Sequence, residues 1–194
     1  MNKKLIKKNQ IIENSIDIMY LKGYNGTSVK DITDAAGIPK GSFYNYFEDK
    51  EHYAVDALYH FFYEMTKENF EFLKDKNFKP LDRIKNFYKN LINQNEEAGF
   101  KLGCFVGNIT QEMGDISTII SEATDVIHKE IVKRIHACLI EACELNELNP
   151  KVDTEKLSNF IVSSWQGTLL RMKASKNRQD LDDFYEVLAE VLLK

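Results

Sequence analysis

The chain has 194 residues and a formal net charge of −4, with 43% hydrophobic and 29% charged residues. This balance is typical of a globular protein that buries a sizeable core. The 9 Gly and 3 Pro exclude collagen-like and Pro-rich low-complexity classes. Residues 1–50 contain eight Lys against six Asp and Glu, a net charge of +2, so the remainder carries −6. A basic N-terminal segment on an acidic body favours an anionic partner there.

The cysteines and the hydropathy pattern exclude several other classes. Three irregularly spaced cysteines do not make a disulfide framework, and no C-x-x-C pair indicates a zinc site. Glu13 and Asp17 interrupt the N-terminal segment before any apolar run forms, so we expect no signal peptide. The uncharged stretch at 157–170 is too short and too polar to span a membrane. We therefore expect a cytoplasmic protein with reduced thiols and without a metal, a cofactor or a membrane partner.

Apolar residues recur at helical spacing along most of the chain, and no segment alternates with the period of a strand. The pattern predicts an all-α fold of about nine helices. Capping and turn residues, such as Ser28, Pro39, Asp49 and Thr154, set several of the predicted boundaries. The predicted helices cover residues up to 22, then 29–36, 39–47, 50–74, 81–97, 104–113, 116–143, 154–174 and 181–194.

The segment from Ser28 to Phe47 has the outline of a helix-turn-helix, with Gly37 in the turn. On its second helix, Phe43 and Phe47 lie one turn apart and face the core. The opposite face has small and hydrogen-bonding side chains and no carboxylate, as a helix in a DNA major groove requires. The alternative to a DNA-binding helix is that this segment is only an aromatic patch of an ordinary core. That alternative leaves the two tyrosines of the segment exposed without a role.

Three runs of residues carry a family resemblance. They are IPKGSFYNYFEDKE at 38–51, GYNGTSVKDI at 23–32 and AAG at 35–37. In order and spacing they resemble the signature of the tetracycline-repressor (TetR) family of bacterial transcriptional regulators. The resemblance implies an all-α homodimer with a three-helix DNA-binding head over residues 1–50 and a ligand-sensing and dimerisation body over residues 75–194. The helix at 50–74 connects the two.

Carried over position by position, the resemblance also implies the residues that contact DNA. Two phosphate contacts are implied before the second helix, six contacts on the recognition helix, and one phosphate contact at the start of the fourth helix. The implied residues are Thr27 and Ser28, then Lys40, Gly41, Ser42, Tyr44, Asn45 and Tyr46, and finally Lys50. Base readout is assigned to Lys40 and Asn45. The position of Asn45 varies within the family, so the operator sequence is not read from it.

The last two predicted helices carry more apolar surface than a lone small domain needs. Their stripes are Leu157, Phe160, Ile161, Trp165, Leu169 and Met172 on one helix, and Leu181, Phe184, Tyr185, Leu188 and Leu192 on the other. Both stripes could pack within the chain, but the resemblance favours a homodimer through these helices. Two-fold symmetry then predicts a palindromic operator, with recognition helices about 34–36 Å apart or somewhat more.

The run GCFVGN at 103–108, with Glu112 after it, resembles the branch of the family that includes the N-ethylmaleimide reductase repressor. The resemblance implies a response to reactive electrophiles, oxidants or small acids. Cys104 is predicted in the first turn of a helix, where the helix dipole favours a thiolate. The alternative is a buried packing residue. The candidate ligand and sensor residues are Cys104, Phe105, Asn108, Glu112, Trp165 and Lys173.

These observations predict a DNA-binding transcriptional regulator, a repressor, and not an enzyme. A small-molecule inducer or modification of Cys104 would release it from its operator. Two alternatives stay open. An all-helical electrophile-conjugating enzyme leaves the pattern from Thr27 to Lys50 unexplained, and a regulator with a purely noncovalent inducer pocket differs only in the role of Cys104.

Overall fold

The computed structural model describes residues 3–194, and every regular element within that range is helical. The predicted all-α fold is confirmed. The α-helices are α1 (Lys3–Lys22), α2 (Val29–Ala35), α3 (Lys40–Phe43), α4 (Lys50–His60), α5 (Lys67–Phe72), α6 (Pro80–Glu97), α7 (Phe105–Met113), α8 (Thr118–Glu144), α9 (Thr154–Ser175) and α10 (Gln179–Val187). Two π-helical segments, Phe61–Met65 and Leu188–Leu192, follow α4 and α10. Across residues 3–194, none of the helices has the length and apolar character needed to cross a membrane.

Local side-chain chemistry sets several of the helix starts. Ser28 and Asp31 form a capping box at α2, in which each side chain accepts a hydrogen bond from the backbone N–H of the other. Asp49 caps α4 by accepting a bond from the His52 N–H at 2.9 Å. At α9 the cap is Asp153 and not the predicted Thr154, which is already the first helical residue.

Two predicted helices are shorter or more broken than expected. The predicted helix at 39–47 is the four-residue α3, followed by a turn over residues 44–46 with hydrogen bonds of the i→i−3 type. Asp49 is the N-cap of α4 and already has an extended backbone. The chain therefore has to change direction between α3 and Asp49, which leaves no room for a longer third helix. The predicted helix at 50–74 is divided into α4, the π-helical segment and α5. The π-helical segment places Phe61 against Tyr20, with ring centroids 5.5 Å apart.

Residue contacts divide the chain into two compact units. The first contains the described residues up to Met65 together with Phe105–Ile127, and the second contains Thr66–Cys104 together with His128–Lys194. The compact units differ from the predicted boundaries, because α7 and the first part of α8 belong to the unit that holds the helix-turn-helix.

The core of the first unit joins the aliphatic face of α1 to an aromatic cluster. Phe43, Phe47 and Tyr53 are buried, and the Phe47 ring centroid lies 5.0 Å from that of each of the other two. The Tyr53 hydroxyl shares a hydrogen bond of 2.7 Å with the Ser15 hydroxyl, and burial raises the pKa of Tyr53 to about 12. This cluster fixes the direction in which α3 presents its other face.

The second unit has an aromatic cluster of its own. The rings of Tyr88, Trp165 and Phe184 lie 5.1–5.3 Å apart, centroid to centroid, and join α6, α9 and α10. Arg83 is also buried in this unit and pairs with Glu141 at 2.7 Å. The guanidinium of Arg83 lowers the pKa of the Glu141 carboxyl.

Candidate nucleic-acid interface

The turn between α2 and α3 follows from a glycine and a buried isoleucine. Gly37 has a φ of 64°, in the left-handed region that favours glycine, and so ends α2. The Ile38 N–H then donates to the Thr33 carbonyl at 3.0 Å, Ile32 is fully buried, and α2 contacts both α1 and α3. The two helices are therefore held as a helix-turn-helix, and α3 has one face in the core and one face outward.

The outward face carries six of the residues that the sequence predicted to contact DNA. Tyr44 is 56% exposed, whereas its neighbour Phe43 is fully buried. A Cβ built on Gly41 meets no atom within 4 Å, so the surface there is open. Exposed residues of this face are Lys40, Gly41, Tyr44 and Asn45, and half-buried ones are Ser42 and Tyr46. We call these six residues the α3 face.

Thr27 requires a correction. Its side chain is 1% exposed, its hydroxyl donates to the Gly23 carbonyl at 2.7 Å, and its backbone N–H donates to the Tyr24 carbonyl at 3.2 Å. Thr27 therefore stabilises the turn after α1 and does not offer a hydroxyl to a phosphate. Ser28 is exposed, but its hydroxyl is shared with Asp31 in the capping box, so a phosphate contact by Ser28 stays a prediction.

Lys50 has a structural role that the sequence did not predict. Its Nζ donates to the carbonyls of Tyr24 and Thr27, both at 3.0 Å, and lies 4.0 Å from the centroid of the Tyr24 ring. Desolvation lowers the pKa of Lys50, and the charge of Glu112 opposes that shift. An ammonium has three donors, so one is left for a phosphate, and this contact also stays a prediction.

Sequence reasoning missed two lysines beside the α3 face. An open groove of about 640 Å³ is lined by Lys3, Lys4, Asn45 and Tyr46. The start of α1 thus adds two positive charges next to a predicted base-reading residue. The available signal was the run of lysines within the first eight residues, which supplies half of the eight Lys in the basic segment 1–50.

Two of the predicted sensor residues on α7 serve other purposes within the first unit. Phe105 is fully buried, with its ring centroid 5.3 Å from that of Tyr20 and 5.2 Å from that of Phe61. Both carboxylate oxygens of Glu112 accept backbone hydrogen bonds, from Tyr24 at 3.1 Å and Asn25 at 2.9 Å. Glu112 thus holds the turn after α1, a role that the sequence did not predict, and its contact with a ligand stays a prediction. Asn108, on the same helix, is half-buried.

The predicted sensor residues of the second unit are placed differently. Trp165 is 6% exposed and belongs to the aromatic core. Cys104 is half-buried and lies directly before α7 in sequence. The Lys173 side chain packs on Gly103, since a Cβ built there would lie 3.0 Å from Lys173 Cε and 3.6 Å from its Nζ. The structure thus brings a cation close to the residue that precedes Cys104. Among residues 3–194, no group of three or more His, Cys, Asp or Glu side chains is placed to hold a metal ion.

The apolar stripes predicted for a dimer contact lie mostly inside the second unit. Of those residues, Ile161, Trp165, Leu169, Met172, Leu181, Phe184 and Leu188 are buried. Exposed uncharged residues also recur on the opposite side of α9, where Lys156 and Arg171 lie as well, and exposed valines follow on α10 and after it. This outer face, which we call the α9–α10 face, comprises Phe160, Ser163, Gly167, Leu170, Val187 and Val191.

Comparison with known proteins decides the family. The model described as "Bacterial regulatory proteins, tetR family" matches residues 11–57, and the model described as "Tetracyclin repressor-like, C-terminal domain" matches residues 80–188. The chain belongs to the tetR family of bacterial regulatory proteins. The predicted family is therefore confirmed, and with it a transcriptional regulator with a helix-turn-helix DNA-binding domain.

Individual members of the tetR family align over most of the chain. The HTH-type transcriptional repressor DhaR of Mycobacterium sp. (strain GP1) is 34% identical over 96% of this chain and 92% of its own length. The repressor NemR of Escherichia coli (strain K12) is 25% identical over 84% of this chain and 81% of its own. The crystal structure of regulatory protein TetR from Rhodobacter sphaeroides is 27% identical, covers 92% of this chain and 95% of its own, and superposes with a TM-score of 0.84.

Proposed function

We propose that this tetR-family protein is a repressor that binds a palindromic operator as a homodimer through the α3 face. The α3 face itself carries this proposal. It combines an exposed lysine, hydroxyl and amide groups and an open glycine, with no carboxylate among residues 40–47, and Lys3 and Lys4 lie beside it. Such a surface permits close approach to a duplex and supplies donors for phosphates and base edges. The repressors DhaR and NemR support the direction of control.

We expect Tyr44→Ala to weaken operator binding about tenfold or more, because an exposed side chain at the centre of the α3 face is removed. The measurement is fluorescence anisotropy with labelled DNA from upstream of the protein's own gene. Tyr63→Ala is the matched control, since Tyr63 is 45% exposed and lies outside the α3 face. The dependence of affinity on salt should keep its slope in Tyr44→Ala, because no charge is removed. Equal affinity of Tyr44→Ala and wild type would contradict the proposed interface.

The homodimer is proposed to form through the α9–α10 face. It offers six exposed, uncharged residues, and four of them, Phe160, Leu170, Val187 and Val191, are large and apolar. Gly167 lies in the middle of α9, where glycine costs helix stability of about 1 kcal/mol. A Cβ built on Gly167 meets no atom within 4 Å, so packing within the chain does not require the glycine. Close approach of a second copy would explain it. An operator-binding dimer acts where the chromosome lies, which makes the cytoplasm the proposed location.

The signal that releases the operator is proposed to act at Cys104. Cys104 is half-buried before α7, the GCFVGN run resembles the N-ethylmaleimide reductase repressor branch, and the Lys173 cation packs on the neighbouring glycine. A noncovalent inducer is the alternative. Neither the comparisons nor the α3 face support the electrophile-conjugating enzyme.

We expect treatment with N-ethylmaleimide to lower the operator affinity of the wild type at least several-fold and to leave Cys104→Ser unaffected. Attachment of the reagent to Cys104 would add bulk directly before α7. Cys143→Ser is the control, because Cys143 is the other half-buried cysteine. The measurement is the same anisotropy titration after mass spectrometry has shown which thiols reacted. Equal loss of affinity in treated Cys104→Ser and treated wild type would exclude Cys104 as the sensor.

A further inference from the structure

The turn after α1 is held from two sides by opposite charges. The N–H groups of Tyr24 and Asn25 donate to the two carboxylate oxygens of Glu112, at 3.1 and 2.9 Å. The carbonyls of Tyr24 and Thr27 accept from the ammonium of Lys50, both at 3.0 Å. A carboxylate therefore satisfies the donors of the turn and an ammonium satisfies its acceptors. We call this arrangement the turn clamp.

Gly23 is the residue that allows the clamp to close. Its φ of 76° lies in the left-handed region, and a Cβ built on it would lie only 2.2 Å from Glu112 Oε1. Any side chain at this position would displace the carboxylate or the turn. Two independent requirements therefore favour glycine at position 23. One is the positive φ at which the chain reverses, and the other is the close approach of Glu112.

A second contact joins the same part of the first unit. The Ser117 hydroxyl donates to Glu51 Oε2 at 2.5 Å. Ser117 lies between α7 and α8, and Glu51 follows Lys50 in the first turn of α4. The segment from Glu112 to Ser117 therefore contacts the head once at the turn and once beside Lys50. Two contacts at different points restrict rotation of α7 against the turn as well as its translation.

We propose that Glu112 is a positioning residue for operator binding: by holding the turn after α1 it fixes Lys50 and the start of α2, and it couples any displacement of α7 to operator affinity. The inference rests on the proposed operator binding. α7 also carries Phe105 and Asn108 and begins directly after Cys104, so an event at the start of this helix is transmitted along it to Glu112. Glu112 itself touches no DNA. Glu112 affects operator affinity indirectly, because it couples the position of α7 to that of the turn after α1.

The test compares Glu112→Gln with Glu122→Gln, which removes the same charge from an exposed position in the first unit. A glutamine has one acceptor oxygen, and its NH₂ group would face a backbone N–H, so one clamp bond is lost. We expect Glu112→Gln to weaken binding to DNA from upstream of the protein's own gene by about 5- to 50-fold. Glu122→Gln should bind as the wild type does.

Two further readouts separate positioning from loss of the fold. Hydrogen exchange of the segment 23–28 should become faster in Glu112→Gln and stay unchanged in Glu122→Gln, while circular dichroism spectra coincide. In a double-mutant cycle with Lys50→Gln, the effect of Glu112→Gln on operator affinity should largely disappear, because both act through the same turn. Gly23→Ala, which retains Glu112 but blocks its approach, should reproduce the loss of affinity.

The outcomes are distinguishable. If the wild type does not bind the DNA at all, the proposed function fails and the positioning role fails with it. If the wild type binds and Glu112→Gln matches Glu122→Gln in both affinity and exchange, the proposed function stands and the turn clamp has no positioning role. Additive effects of Glu112→Gln and Lys50→Gln would also overturn the inference. If Glu112→Gln does not fold, the same comparisons are made with Gly23→Ala.

Discussion

Replacing Phe43 by alanine is expected to destabilise the first unit by about 3–5 kcal/mol, the cost of truncating a fully buried phenylalanine. Its ring packs on Phe47, 5.0 Å away between centroids, and on Tyr53, 6.0 Å away. α3 has only four residues, and such a short helix has almost no stability of its own. The aromatic contacts therefore hold the α3 face in place, and operator binding should be lost with them.

The measurement for Phe43→Ala is urea unfolding followed by two probes. Circular dichroism reports on both units, whereas the fluorescence of Trp165, the one tryptophan of the sequence, reports on the second unit. Tyr44→Ala is the matched control, because Tyr44 is adjacent but exposed; it loses only its edge-on contact with the Phe43 ring, 5.3 Å between centroids, so the free energy of unfolding should fall by about 1 kcal/mol or less. An unfolding free energy of Phe43→Ala within 1 kcal/mol of the wild type would show that the aromatic cluster does not hold α3.

The helix-turn-helix was predictable because its determinants are local in sequence. The Ser28–Asp31 capping box, the Gly37 turn and the i, i+4 pair of phenylalanines lie within twenty residues, and each has a defined effect on the backbone. The exposed α3 face follows from them. The buried position of Thr27 was not predictable in this way, because it depends on how the turn folds back onto Gly23.

The turn clamp was beyond sequence reasoning for a different reason. Glu112 is 88 positions from Tyr24 in the chain, and no periodicity or spacing reports a pairing at that distance. The resemblance of the GCFVGN run to one branch of the family instead suggested that Glu112 contacts a ligand. The same limit applies to α9, whose apolar periodicity correctly predicts a buried stripe but does not say whether a second copy or the chain itself buries it. Trp165 packs on Tyr88 and Phe184 of its own unit.

The outer side of α9 supports a second large effect. Leu170→Glu is expected to convert the proposed homodimer to a monomer, because it replaces an exposed apolar side chain of the proposed contact with a carboxylate. Leu170 is 55% exposed, so the fold of the single chain should tolerate the change. Two linked heads bind two half-sites more tightly than one head does, and losing that linkage should weaken operator binding on the order of 100-fold or more.

Sedimentation velocity and the anisotropy titration together measure this result. Leu145→Glu is the matched control, since Leu145 is 57% exposed in the same unit but lies outside the α9–α10 face, and it should stay dimeric and bind as the wild type does. Both variants exchange an exposed leucine for glutamate. Any difference between them in oligomeric state or affinity therefore comes from the position of the new charge. If Leu170→Glu sediments as a dimer, the contact between copies lies on another surface. If it is a monomer with undiminished affinity, each head binds its half-site without help from the second copy.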